Sequence, residues 1–294
     1  MTYFLQQSIN GISIGAIYAM IALGYSMVYG LLYLINFAHG DLYVFGTFLA
    51  YTAIVLLSAY IHPILCCLLG ALVAGAVGIV MERFAFRPVR SGSRNVSMIS
   101  ALGCAAVLKM VSQAIWGPES LPFQSLLPKG VININDLQLY TRSIVVVAVS
   151  LLVVLVMQLV QQYTKFGRGT RFIMQDITTA SLVGVNTNFI IPMVYALGGF
   201  LGVLGGVLYS SYYSLLNIDM GILGTIKAWA VVTLGGPGSF VGALLGGIML
   251  GWSEAMAGAY LNNAARDAVG YLVIVVALMI KPNGLFGKKK VEKV

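Results

Sequence analysis

The sequence predicts an all-α membrane protein, a polytopic transmembrane helical bundle of about eight or nine spans. Three observations carry that prediction. Apolar residues make up 59% of the chain and charged ones only 9%, against about 45–50% and about 25% in an average soluble protein. Mean hydropathy is +0.92, and apolar runs recur from end to end. Glycine is abundant, with 34 in 294 residues, and in a bilayer small residues let helix backbones approach closely. So little charge cannot coat a 31.4 kDa globule, which excludes a soluble enzyme, a nucleic-acid-binding module and a disordered adaptor. The formal charge of +8 does not point to nucleic acid, because the basic residues border apolar segments, as topology signals do.

Apolar windows of about 20 residues place spans near 5–30, 41–60, 63–85, 96–116, 142–163 and 188–213. A short segment near 222–235 follows, then spans near 239–261 and 265–281. Met1 to Asn10 carry no basic residue, so a cleaved secretory signal is not expected and the first span stays as a helix. Three basic groups set the sidedness: Arg83, Arg87, Arg90 and Arg94; Lys165, Arg168 and Arg171; and Lys281, Lys288, Lys289, Lys290 and Lys293. The positive-inside rule puts all three in the cytoplasm. The N-terminus is then outside and the C-terminus cytoplasmic, provided that 222–235 crosses and does not re-enter. Loop 117–141 is the longest outer stretch. With Pro118, Pro122 and Pro128 it is expected to be irregular or to hold only a short helix. The chain reads as one transmembrane domain over 1–294.

Enzymatic signatures are missing. The nearest string to a phosphate-binding loop, Gly284-Leu285-Phe286-Gly287-Lys288, has the wrong spacing. His39 and His62 are not spaced as a metal pair, and Cys66, Cys67 and Cys104 sit in apolar stretches as small hydrophobes. No catalytic residue, metal site or cofactor is expected.

Two polar breaks interrupt the apolar pattern. Asn36, His39 and Asp41 fall between the first two spans. Asn36 or Asp41 can cap the following helix, or the break can contribute to a substrate path, as interrupted helices do in transporters; the two roles are compatible. Gly235-Gly236-Pro237-Gly238-Ser239 forces a turn, with Ser239 positioned to cap the next helix. Glycines at four-residue spacing (Gly198, Gly202 and Gly206; Gly242 and Gly246; Gly247 and Gly251) read as packing ladders. Charges within apolar spans are few, and Lys109, Lys227 and Glu254 stand out. Each is costly there and a functional candidate; for Glu254, the most interior, a structural ion pair and a substrate contact both remain open.

Loop 164–187 is the most informative stretch. A short helix is expected over 171–183, with Phe172, Asp176, Thr179 and Val183 on one face and Gly184 ending it.

Three stretches together, Asn36-Phe37-Ala38-His39-Gly40-Asp41, Glu82-Arg83 followed by Arg87-Pro88-Val89-Arg90, and the Gly167–Asn186 loop, resemble the permease subunits of branched-chain amino-acid ABC importers, the LivH type. The glycine-rich turn from Leu234 through Gly247 is similar to that family's. One departure is Pro237, where the family is expected to carry an aliphatic residue. The resemblance runs through nearly the whole chain.

It implies half of a permease pair in a bacterial inner membrane. The companions would be a second, LivM-like permease subunit, two cytoplasmic ABC ATPase subunits and a periplasmic substrate-binding protein. Gly167, Arg168, Arg171, Gln175, Asp176 and Gly184 would then belong to the segment coupling the permease to the ATPase. Asn36, His39, Asp41, Ser239 and Glu254 are the candidates for the translocation path. Related permeases carry urea and short amides, so these remain alternative substrates. A secondary transporter or channel would need more ionisable residues within its spans than Glu254 nearly alone.

Overall fold

The computed structural model describes residues 2–90, 92–134, 137–281 and 284–286. Eleven α-helices are present among them: α1 (Thr2–Leu32), α2 (Ala38–Leu57), α3 (Pro63–Met81), α4 (Arg94–Trp116), α5 (Thr141–Tyr163), α6 (Lys165–Gln175), α7 (Ile177–Leu182), α8 (Thr187–Tyr213), α9 (Met220–Gly235), α10 (Phe240–Tyr260) and α11 (Asn263–Ile280). A π-helical turn, Glu82–Phe86, extends α3. Eight of the helices are long and apolar enough to cross a membrane: α1 to α5, α8, α10 and α11. The ninth expected segment, α9, has 16 residues. At about 1.5 Å per residue it reaches about 24 Å, short of a hydrocarbon core of about 30 Å. The basic residues Lys288, Lys289, Lys290 and Lys293 lie outside the described residues.

Eight of the eleven helices fall into two sets of four. α1, α2, α3 and α4 recur as α8, α9, α10 and α11, and the packing partners exchange accordingly. α1 packs on α8, and α2 on α9. The α1–α10 contact is matched by α8–α3, α1–α9 by α8–α2, α2–α3 by α9–α10, and α2–α4 by α9–α11. The two sets run in opposite senses. Gln6, near the start of α1, exchanges hydrogen bonds with the backbone of Gln138 (2.9 and 3.0 Å). At the other end of α1, Gly30 lies against Gly238 and Met174. α8 runs the other way, from the end of α7 to Ser214, whose carbonyl accepts from the Phe123 amide of the 117–141 loop at 3.2 Å. This is an inverted-topology repeat.

The glycine ladders explain how close the helices come. A Cβ on Gly15 of α1 would lie 2.5 Å from the Gly247 carbonyl and 2.6 Å from the Ile248 Cα of α10. Gly24 and Gly198 abut in the same way where α1 crosses α8. Backbone-to-backbone contact of this kind replaces side-chain burial as the source of tight packing, because lipid offers no hydrophobic drive for helix association.

Two local expectations are corrected. Loop 117–141 is not irregular throughout. Val131–Ile134 (β2) pairs antiparallel with Leu137–Tyr140 (β3), and Leu121–Pro122 (β1) with Leu215–Leu216 (β4). The apolar/polar alternation of Leu137-Gln138-Leu139-Tyr140 is the strand signal that the prolines obscured. The helix expected over 171–183 is two helices, α6 and α7, divided at Asp176. Its backbone is extended there, and its Oδ1 accepts from the Thr179 amide at 2.5 Å. An aspartate serves better as an N-cap than inside a helix.

Gly15→Ala is expected to lower stability by on the order of 1–3 kcal/mol through overpacking. Gly103→Ala, where a Cβ meets nothing within 4 Å, leaves it unchanged or slightly raised. Thermal unfolding of the purified protein in detergent reads both.

Candidate functional site

The first polar break lies inside the bundle. α1 ends at Leu32, Tyr33 turns the chain with φ 52°, and residues 33–36 are non-helical. α2 then begins beside residues 21–24 of α1, well back from its end. Asn36 Oδ1 accepts from the Ala38 amide (3.1 Å), while Phe37, at the cap position itself, offers no side-chain bond. Asn36 thus stabilises the start of α2, and Asp41 is part of its first turn. His39 is 1% exposed. Its Nε2 lies 3.2 Å from the Ile21 carbonyl; a carbonyl only accepts, so Nε2 carries the proton. The Tyr25 ring meets the imidazole edge-on at 5.6 Å. Gly24 and Gly202 make room for it: a Cβ on either would come within 2.9 or 3.3 Å of His39 Cε1.

The other side of this seam is the first turn of α9. A Cβ on Gly221 would lie 2.9 Å from Asp41 Oδ1, and Gly40 packs on the Gly221 carbonyl and Thr225 Oγ1. Tyr43 donates to the Met220 carbonyl at 2.5 Å. The starts of the equivalent helices α2 and α9 therefore meet at buried Gly40 and Gly221, with Asn36, His39 and Asp41 enclosed.

The second break closes α9. Gly236 and Gly238 take φ 96° and 73°, conformations that glycine alone adopts without strain. Ser239 Oγ accepts from the Gly242 amide at 3.0 Å, capping α10 as its position predicts. Met174 of α6 extends to Gly238 and Gly30. One end of the bundle thus brings together α6, the end of α1 and this turn, around a small void lined in part by Met27, Thr170 and Met174.

In segment 164–187 the candidates divide. Thr164 caps α6 through the Gly167 amide (3.0 Å), and Gly167 lies against the Gln161 backbone. The Arg171 guanidinium donates to the Gln161 carbonyl. Arg171 and Asp176 therefore hold the segment's shape, whereas Arg168 and Gln175 are exposed. Gly184 (φ 84°) follows α7 where a left-handed residue is needed. Phe172, Leu182 and Val183 are exposed as well, at 50%, 82% and 63%. Leu182 was not legible as a candidate.

Glu254 sits apart from both breaks, fully buried in an ion cluster. It pairs with Lys227, accepts from Tyr18 Oη (2.9 Å), and lies 3.6 Å from Arg266 Nε. Lys227 also reaches Asp267 (2.7 Å). Of the two open readings, this geometry is that of a structural ion pair joining α1, α9, α10 and α11. Lys109 pairs with Asp219, just before α9, at 3.0 Å. Arg266, Asp267 and Asp219 escaped sequence reasoning because they lie at the margins of apolar windows. The adjacent opposite charges of Arg266-Asp267 inside a span were the signal available.

A bundle of apolar helices built as an inverted repeat, with a buried helix break inside it, has the architecture of a polytopic membrane permease. A family model described as branched-chain amino acid transport system / permease component matches residues 8–278. The LivH proteins of Salmonella typhimurium and Escherichia coli, both named high-affinity branched-chain amino acid transport system permease proteins, are 34% identical over 99% of this chain and 98% of their own. BraD of Pseudomonas aeruginosa, named in the same way, is 33% identical over 99% of this chain and 98% of its own. The chain belongs to the branched-chain amino acid transport permease family. It is a permease subunit of an ABC transport system and not an enzyme; ATP hydrolysis resides on separate subunits.

Glu254→Ala leaves Lys227 with Asp267 as its carboxylate partner and removes that of Arg266, and is expected to cost up to about 3 kcal/mol, the low end of the penalty for breaking a buried pair. Replacing Glu254 and Lys227 together by Gln and Met recovers part of that loss. Thermal unfolding in detergent compares the two.

Proposed function

We propose that this chain is one half of a permease pair that carries branched-chain or other hydrophobic amino acids across a bacterial inner membrane. It is a single domain over 1–294, with its N-terminus outside and its C-terminus in the cytoplasm. Its companions are a LivM-like second permease subunit, two cytoplasmic ATPase subunits and a periplasmic substrate-binding protein. The observation that carries the reading is the near full-length likeness to proteins named as branched-chain amino acid transport permeases. Urea and short amides are not favoured by any of these.

Segment 164–187 is the proposed coupling element. Arg168, Gln175 and the apolar Phe172, Leu182 and Val183 face out and present a mixed surface to an ATPase groove. Arg171, Asp176, Gly167 and Gly184 fix that surface's shape from within. Motion of α6 passes through Met174 to Gly30 and Gly238, the two places where α1 and the Ser239 turn meet it. α1 leads directly into the Asn36–Asp41 break. Tilting α1 against α8 opens the seam between α2 and α9, so that Asn36, His39, Asp41 and Ser239 border the translocation path, with Glu254 anchoring its wall.

Co-expression with the ATPase subunits, followed by purification and ATP-driven leucine uptake in proteoliposomes, tests the reading. Leu182→Asp with Arg168→Glu is expected to remove ATPase co-purification and cut uptake at least about tenfold, as loss of an interface anchor does. Met174→Ala keeps the ATPase bound but slows uptake. Normal uptake in all of these variants would place the coupling surface elsewhere.

A further inference from the structure

We infer that Glu82, at the π-helical end of α3, and Tyr195 of α8 form a lock between the two repeats. It is open in the present arrangement, and a hydrogen bond from Tyr195 Oη to Glu82 Oε2 closes it in the other arrangement of the transport cycle. Both are positioning residues, and the inference rests on the proposed function, because the cycle it needs is ATP-driven transport.

Gly78, Glu82 and Phe86 follow one another at the spacing of one helical face, and that face meets Tyr195. A Cβ on Gly78 would lie 2.6 Å from the Tyr195 carbonyl, and the Phe86 and Tyr195 rings are 5.1 Å apart. Glu82 stands between these two contacts, and its charge acts on the Tyr195 hydroxyl. Glu82 and Tyr195 are only 1% and 2% exposed. Yet neither Tyr195 Oη nor Glu82 Oε2 has a hydrogen-bond partner among the described residues. Arg90 Nη1 stops 3.8 Å short of Glu82 Oε1. A donor and an acceptor left unpaired on facing helices each cost free energy that one bond between them removes.

The inverted repeat shows the closed form of such a lock. The α3–α8 contact has its counterpart in α10–α1. Gly75 brings α3 onto α8 at Ala196, and Gly247 brings α10 onto α1 at Gly15. Glu82 and Glu254 each stand seven residues beyond these glycines. Each acid is met by an arginine at the entry to the fourth helix of its set, Arg90 before α4 and Arg266 in the first turn of α11. Each also faces a tyrosine from the first helix of the opposite set. At Glu254 the bond is made, with Tyr18 Oη donating at 2.9 Å; at Glu82 it is not. Lys227 of α9 pins Glu254 further, whereas the equivalent helix α2 carries no lysine or arginine. The Glu254 end is therefore fixed, and the Glu82 end is free to open and close.

The lock is also wired to segment 164–187. That segment runs into α8, which Asn186 caps, and Asn188 of its first turn accepts from the Arg87 guanidinium at 2.6 Å. Tyr195 lies seven residues further on, about 10 Å along the helix. The π-helical turn that supplies Phe86 and leads to Arg87 begins at Glu82 itself, closed by the Arg87 amide on the Glu82 carbonyl at 2.7 Å; such turns concentrate at functional sites. A push on the segment moves α8 along α3, and at Gly75 and Gly78 no interlocking side chain resists the slide.

The test uses the complete transporter in proteoliposomes with its binding protein. Tyr195→Phe deletes only the hydroxyl. Because that hydroxyl is unpaired here, the unfolding temperature of the resting complex is expected to stay unchanged or rise slightly. ATP-driven leucine uptake falls at least about tenfold, the weight of one bond to a charged acceptor. A hydroxyl with a merely structural role does not give that combination. Glu82→Gln keeps an accepting oxygen and retains more uptake than Glu82→Leu. Glu82→Leu combined with Tyr195→Phe is no slower than Glu82→Leu alone, as two ends of one bond behave. Normal uptake by Tyr195→Phe, a lowered unfolding temperature for it, or additive losses in the double variant would overturn the inference. If Glu82→Leu does not fold, Tyr195→Phe decides by the same two readouts. Absence of ATP-driven uptake by the unmutated complex would instead overturn the proposed function.

Discussion

The fold depends on one constraint: helices must touch backbone to backbone so that interrupted helices can be buried at all. In a bilayer every amide and carbonyl must find a partner inside the protein. A stretch such as 33–36, which has left α1 and not yet entered α2, is tolerable only where neighbouring helices shield it. The glycines at 24, 198, 202, 40 and 221 provide that shield, since side chains at these positions would collide with His39, Asp41 or the opposing backbone. The inverted repeat follows from the same requirement. Two identical problems, the starts of α2 and α9, are solved by placing each against the other.

Much of this was legible in the sequence. Spans are recognisable from apolar windows because each helix must match the bilayer, and the limits agree with the observed helices within a few residues. The glycine ladders and the Ser239 cap were readable for equally local reasons. Asn36 was a cap candidate from sequence, although it acts one position before the formal cap. The repeat was hidden, because it lives in which helices touch and not in any residue pattern. Asp176 was misplaced on a helix face because apolar periodicity continues across the point where its side chain turns the backbone. The strands were masked by prolines, and the partners of Glu254 by distance along the chain: Tyr18 and Lys227 lie 236 and 27 residues from it.

The candidate site residues separate by what the fold asks of them. His39 and Asp41 lie on the seam between the two repeats, where a small rotation of α1 against α8 changes their surroundings. Glu254 is held by three donors from three different helices, which makes it a fixed point. A permease that alternates between two arrangements needs both kinds of residue: a rigid body on one side of the moving surface and a loosely bonded seam along it.

Charge placement separates moving surfaces from lipid-facing ones. Lipid tolerates no exposed carboxylate, so a helix that presents one must face water or protein whenever the protein is in its membrane. α5 presents none, and α9 is flanked by two. Asp219 and Asp267 stand at the starts of α9 and α11, where a lysine partner and interfacial water share the cost of their exposure, whereas Glu254, far along α10, is fully buried and held from three sides.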